Sequence, residues 1–175
     1  MKKINIIGVV IAILLLGGII WASRSADKNA ALNNTSNKSA AADSLTNLSG
    51  SLSAEEAAFD FGAVSMAAGN VRHSFKIKNN SGQPVTIAKI YTSCMCTTAE
   101  LIKGDKKFGP FEMPGHGYIP KINEIVAPGE EAEIEVVFDP TAHGPAGVGR
   151  IQRAVTVENS SGQPFNLQIS ALVTP

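Results

Sequence analysis

Beyond Ala57 the chain alternates hydrophobic and polar positions through one short run after another, the period of two that a strand with one face in a core and one in water imposes. Val71, His73, Phe75 and Ile77 alternate with Arg72, Ser74, Lys76 and Lys78, so the first set is expected inward and the second outward. Asn79-Asn80-Ser81-Gly82-Gln83-Pro84 is rich in turn residues. Residues 85–91 return as the next strand, with a slip in the alternation at Ala88-Lys89 that predicts a bulge. Pro128-Gly129-Glu130 turns the chain into Ile134, Val136 and Phe138, which alternate with Glu133, Glu135 and Val137 until Asp139-Pro140 ends the run. Ile151, Val155 and Val157 mark the inward face of a further strand, and Arg153 breaks the pattern by sharing their parity. Asn159 opens a second Ser-Gly-Gln-Pro turn, after which Phe165, Leu167, Ile169, Ala171 and Val173 alternate to the end.

Short alternating strands separated by turn signals, with no helical period among them, predict an all-β sandwich. The repeated turn predicts two similar hairpins rather than two domains, because the chain between the copies is too varied to be a repeat unit.

The amino-terminal part follows other rules. Lys2 and Lys3 precede residues 4–22, where Asn5 is the one strongly polar side chain, and about 20 residues of helix cross the hydrocarbon core of a bilayer. A cleavable signal has a shorter apolar region of about 7–15 residues ending at small residues, whereas Ile20-Trp21-Ala22 runs into Ser23-Arg24. Residues 1–22 are therefore expected to be an uncleaved transmembrane helix, a signal anchor that partners the membrane. No cysteine follows the apolar run, which excludes a lipoprotein anchor. The basic residues before the span favour an internal amino terminus, and hence an extracytoplasmic carboxy-terminal domain, periplasmic or on the cell surface. Residues 23–55 are rich in Ala, Asn and Ser and carry too little apolar surface to offset the entropy of ordering them, so a flexible linker is expected there. Residues 56–175 are expected to be the sandwich, with an insertion over residues 103–125.

Composition narrows the function classes. The 175 residues, 44% of them apolar, suffice for one anchor, one linker and one core. Fifteen basic residues balance fifteen acidic ones without a basic cluster, so a nucleic-acid partner is not expected. Cys94 and Cys96, the chain's 2 cysteines, are separated by one residue. A disulfide wants Cα atoms about 4.4–6.8 Å apart, so a ring that tight is strained, and paired thiols or metal ligands are the expected states. No Ser-His-Asp spacing, paired-carboxylate pattern or phosphate-cradling loop is present, and no enzymatic activity is expected.

Four landmarks in combination resemble a bacterial family known as domain of unknown function 1573 (DUF1573). They are Phe59-Asp60-Phe61-Gly62, His73-Ser74-Phe75 running into Asn79-Asn80, Ser93-Cys94-Met95-Cys96-Thr97, and Ala127-Pro128-Gly129-Glu130 leading to Phe138-Asp139-Pro140. The resemblance spans residues 59–173. It implies an immunoglobulin-like Greek-key β-sandwich of about seven strands, related to Hydin-type (ASH) and major-sperm-protein-like modules, in exported or surface proteins and without an assigned activity. Met95 departs from it, standing where the family usually has Gly, and so does the insertion.

Antiparallel strand directions then bring the chemistry to one end. The strand after the first Ser-Gly-Gln-Pro turn runs down to Cys94 and Cys96, and the strand closed by Asp139 ends at the same pole, together with its loop carrying His143. His73 faces inward near that end, and the insertion leaves from it with Met113 and His116. Thiolate, imidazole and thioether suit Cu(I) or Zn(II) better than Mg or Ca. The candidate metal ligands are Cys94, Cys96, His116 and His143 with Met113, and Met95 or His73 as further ones; for His73 the plainer reading is a hydrogen-bonded core residue. Three functional readings follow. The first is a non-catalytic binding or structural module meeting an unidentified protein partner through the loops at one pole, with residues 108–120 as that surface or as cover for a sheet edge. The second is a soft-metal module, and the third a dithiol redox couple on the same cysteines.

Overall fold

The computed structural model describes residues 51–175, and the expected membrane span at 1–22 and the linker up to residue 50 lie outside the described residues. Among the described residues ten strands form two sheets of five. The first sheet has the order β1 (Leu52–Ala54), β3 (Val71–Asn79), β8 (Glu131–Phe138), β5 (Thr97–Lys103), β6 (Lys106–Phe111). The second has the order β2 (Ala58–Ser65), β10 (Phe165–Thr174), β9 (Gly149–Asn159), β4 (Val85–Thr92), β7 (Glu124–Val126). Neighbours within each sheet are antiparallel except β2 and β10, which run parallel.

The alternation sets which faces meet. Phe75 and Ile77 of β3, Ile134, Val136 and Phe138 of β8, and Phe165, Leu167 and Ile169 of β10 are all at most 2% exposed. Each such side chain contributes about 1.5–3 kcal/mol through its burial. Their outward neighbours form exposed ion pairs such as Lys78 with Glu131 at 3.1 Å, which at that exposure are worth under about 1 kcal/mol. The bulge predicted at Ala88-Lys89 is present as a shift in the β4–β9 register between Ile87 and Lys89.

Three differences from the sequence expectation share one cause, pairing that a single strand does not announce. The described sandwich has ten strands rather than about seven. Leu52–Ala54, placed by composition at the end of the linker, pairs with β3, and Leu52 is 0% exposed. The insertion supplies two further edge strands, β6 beside β5 and β7 beside β4, so Phe111 packs into the core at 3% exposure. The two Ser-Gly-Gln-Pro turns also differ in kind: the second joins β9 to β10 within one sheet, whereas the first joins β3 to β4 across the two.

Among the connections that change sheet at the opposite end are those between β4 and β5 and between β8 and β9. These crossovers carry Cys94 to Cys96 and His143.

Candidate metal centre

Thr92 ends β4 with its side chain inward, 1% exposed, and its Oγ1 lies 3.0 Å from the Cys94 carbonyl and 2.9 Å from that of Thr97. Thr97 N–H donates to Cys94 O at 3.1 Å, so residues 94–97 form a reverse turn with Met95 at its tip, 47% exposed. Two strands clamp this turn. Ser93 N–H donates to Ala154 O on β9 and Ser93 Oγ accepts from Ala154 N–H, both at 2.9 Å. At the end of β8, Asp139 N–H donates to Cys96 O at 2.9 Å. Backbone bonds to fixed strands thus set the positions of both sulfurs.

His143 is placed by the other crossover. Asp139 Oδ1 accepts from Thr141 N–H at 2.7 Å and from Thr141 Oγ1 at 2.6 Å, and Gly144 N–H closes the next turn onto Thr141 O at 2.8 Å. Gly144 takes φ 56°, a conformation that favours glycine. A short 3-10 turn, Gly144–Gly147, brings Gly147 so close to His143 that a Cβ there would stand 3.1 Å from His143 Cβ.

His143 Nε2 lies 3.1 Å from Cys94 Sγ, and Cys96 Sγ lies 2.7 Å from Cys94 Sγ. Both cysteines are free thiols, Cys94 partly exposed and Cys96 buried. Arg153 Nε donates to Cys96 Sγ at 3.2 Å. Burial acts to raise the Cys94 pKa, but hydrogen bonds from the Cys96 thiol and amide and from His143, with the Arg153 charge, outweigh it and bring the value from 9.0 to about 7. Burial, and then the hydrogen bond to the neighbouring Cys94 sulfur, push Cys96 above 9.0 against the pull of Arg153 and Thr97. The first proton therefore leaves Cys94, and the Cys96 S–H donates to the resulting thiolate.

The ligand atoms of Cys94, Cys96 and His143 all lie within 4.8 Å of one another, the separation at which one ion can touch all three. Of the four cysteines and histidines selected as ligands, the structure thus brings together three. His116 lies outside this group, exposed in the turn that Pro114 and Gly117 close, where its N–H donates to Met113 O at 3.2 Å. Met113 is half-buried at the base of that turn, one residue after Glu112, whose carbonyl accepts Thr92 N–H at 3.2 Å. His73 has partners of its own. Its ring stacks on Phe59 at 3.7 Å, meets Phe75 edge-on at 4.7 Å, and places Nε2 3.1 Å from Glu56 Oε2, which makes it a packed, hydrogen-bonded residue.

Sequence reasoning missed Arg153 as a site residue although its signal was present. The one cation on an inward parity of β9 donates to a sulfur there.

No curated protein matches the chain. Solved structures of similar shape include a protein of unknown function from Porphyromonas gingivalis W83, 13% identical with a TM-score of 0.48 over 66% of this chain and 44% of that one. They also include the ASH/PapD-like domain 7 of human CEP192, 12% identical with a TM-score of 0.43 over 81% of this chain and 98% of that one. The CupB2 chaperone of Pseudomonas aeruginosa is 13% identical with a TM-score of 0.37 over 69% of this chain and 54% of that one. The chain spans under half the length of the Porphyromonas protein, and likenesses at these identities concern fold alone. The family resemblance read from the sequence is shown over residues 52–109, which match the family described as protein of unknown function (DUF1573), a stretch that holds both cysteines and stops before His143 and Arg153.

Proposed function

We propose that this chain is a non-catalytic binding module, tethered to the membrane by residues 1–22 and exposed outside the cytoplasm, one pole of which holds a soft metal ion on Cys94, Cys96 and His143. The observation that carries the reading is the mutual approach of the three ligand atoms to within 4.8 Å on a backbone clamped by β8 and β9. Two thiolates and one imidazole make a soft, three-membered donor set. That set suits three-coordinate Cu(I), whereas a structural zinc site takes four protein ligands. The apolar run after Lys2 and Lys3 supports the tether and its orientation.

The test is copper transfer to the reduced full-length chain in detergent from a chromophoric Cu(I) chelator. One equivalent is expected in the native protein, with affinity falling by at least about a thousandfold in the Cys94→Ser, Cys96→Ser double variant, the scale set by losing two of three ligands. Equal copper in both proteins sinks the reading.

A specific observation favours a second reading. A partly exposed Cys94 with a pKa of about 7 beside a buried Cys96 is the disposition of an attacking and a resolving thiol. Titration against glutathione redox buffers tests it: a two-electron transition at a defined potential supports a dithiol couple, and thiols that stay reduced at every poise exclude one.

A further inference from the structure

Arg153 is half-buried on the inward side of β9. Its Nε is spent on Cys96 Sγ at 3.2 Å and its Nη1 on the Gln152 carbonyl at 2.9 Å, so the guanidinium is held beside the sulfurs by two bonds. Among the described residues its hydrogen-bond partners are cysteine sulfur and a carbonyl rather than a carboxylate, and no ion pair of 4.0 Å or less involves it. A cation so placed would repel a metal ion unless the occupied site carried a negative charge.

We infer that Arg153 determines which ion the site accepts, by serving as counter-charge to a monovalent cation held on two thiolates; this rests on the metal reading above. Two thiolates with Cu(I) carry one net negative charge, and the guanidinium brings the assembly to neutrality. Two thiolates with Zn(II) are already neutral, so the same guanidinium is left unbalanced in a half-buried place, where an uncompensated charge is costly. The donor count acts in the same direction, because three protein ligands complete a Cu(I) site and leave a structural Zn(II) site one short. Arg153 therefore need not touch the ion. It is a positioning and specificity residue acting through Cys96.

The experiment measures Cu(I) and Zn(II) affinities of the reduced full-length chain by chelator competition, in the native protein and in Arg153→Met and Arg153→Lys. Arg153→Met keeps the apolar stem against the core and removes the charge. It is expected to weaken Cu(I) about tenfold and to leave Zn(II) unchanged or tighter, the size expected for one partly solvated charge a few ångströms away. Arg153→Lys, which restores the charge without the planar fork, is expected to recover most of the Cu(I) affinity. If the Met variant loses both metals equally and Lys rescues neither, Arg153 is a packing residue and the inference fails. If both variants keep the native Cu(I) to Zn(II) ratio, it fails as well, while the metal reading stands. A native protein that takes up neither metal overturns that reading and this inference with it.

Discussion

At one end of the sandwich two asparagines close two turns, and at the other a sulfur pair, an imidazole and a guanidinium meet across two crossovers. At the first end each turn is closed by local bonds of its asparagine. Asn79 Oδ1 accepts from Ser81 N–H at 2.9 Å, and its Nδ2 donates to Gln83 O at 2.8 Å. Asn159 repeats both contacts, with Ser161 N–H at 2.9 Å and Gln163 O at 2.9 Å. At the second end the functional side chains are joined across the fold by distant ones: Cys94 and His143 are 49 residues apart, and Cys96 and Arg153 are 57. A local bond can be conserved by a short motif and read from one. A distant bond depends on register in two sheets, and the meeting of cysteine with His143 and Arg153 is made of distant bonds.

The sharpest way to break this contrast is inside the local end, where the two turns only look equivalent. Asn79 is 0% exposed and spends a further Nδ2 bond on Val126 O of β7 at 2.9 Å, whereas Asn159 is half-buried and reaches Val157 O only at 3.4 Å. Asn79→Ala leaves buried carbonyls of the turn and of β7 without their donor and is expected to cost about 3 kcal/mol, against about 1 kcal/mol for Asn159→Ala. Urea midpoints of the two variants measure the difference. Equal losses would mean that β7 gains nothing from Asn79.

The same contrast explains how much the sequence disclosed. The period of two located β3, β4, β8, β9 and β10, because each has one face in the core and one in water. It said nothing of β1, β6 and β7, which have 3, 6 and 3 residues, lie towards the sheet edges and are too short or too polar to alternate visibly. Strand direction sufficed to bring Cys94, Cys96 and His143 to one pole, since direction needs only the count of reversals. It could not separate His143 from His116 or His73, because those differ in loop conformation and partner, not in pole. Arg153 was visible as a violation of parity, but giving that violation a cause required knowing that Cys96 lies across the sheet gap from it.

The distant end can be tested by titration. In the reduced, metal-free protein, iodoacetamide is expected to label Cys94 before Cys96, with a midpoint at pH about 7. Against an ordinary thiol at pH 7 the thiolate fraction rises about fiftyfold while its nucleophilicity falls about eightfold, leaving Cys94 roughly sixfold faster. Cys96→Ala removes the S–H donor and should move the midpoint up towards 9.0. Stability follows the same ionisation. Because the folded pKa of Cys94 lies below its unfolded value, its contribution is full above pH 9.0 and is lost as pH falls through about 7, so stability should rise across that window. Above pH 9.0 the raised Cys96 acts in the opposite sense. Simultaneous labelling of both thiols with midpoints near 9 would mean that the asymmetry between them does not exist.

The finest comparison sets one methyl group at each end. At Gly82, in the first turn, an added Cβ meets nothing within 4 Å, and Gly82→Ala is expected to change stability by less than about 0.5 kcal/mol. At Gly147 the same methyl would stand 3.1 Å from His143 Cβ and 3.8 Å from Pro140 O. His143 has to give way by a few tenths of an ångström, and it is held by a turn rather than by a strand, so the loop can yield at a cost of about 0.5–1 kcal/mol. The displacement lengthens the 3.1 Å contact between Nε2 and the Cys94 sulfur, and that contact is one of several holding the thiol down. Gly147→Ala should therefore raise the labelling midpoint of Cys94 by a fraction of a pH unit, while Gly82→Ala leaves it unmoved. A Gly147→Ala protein with the native midpoint would show that imidazole and thiol are coupled more loosely than their separation suggests, and Arg153 with Cys96 would then carry the shift between them.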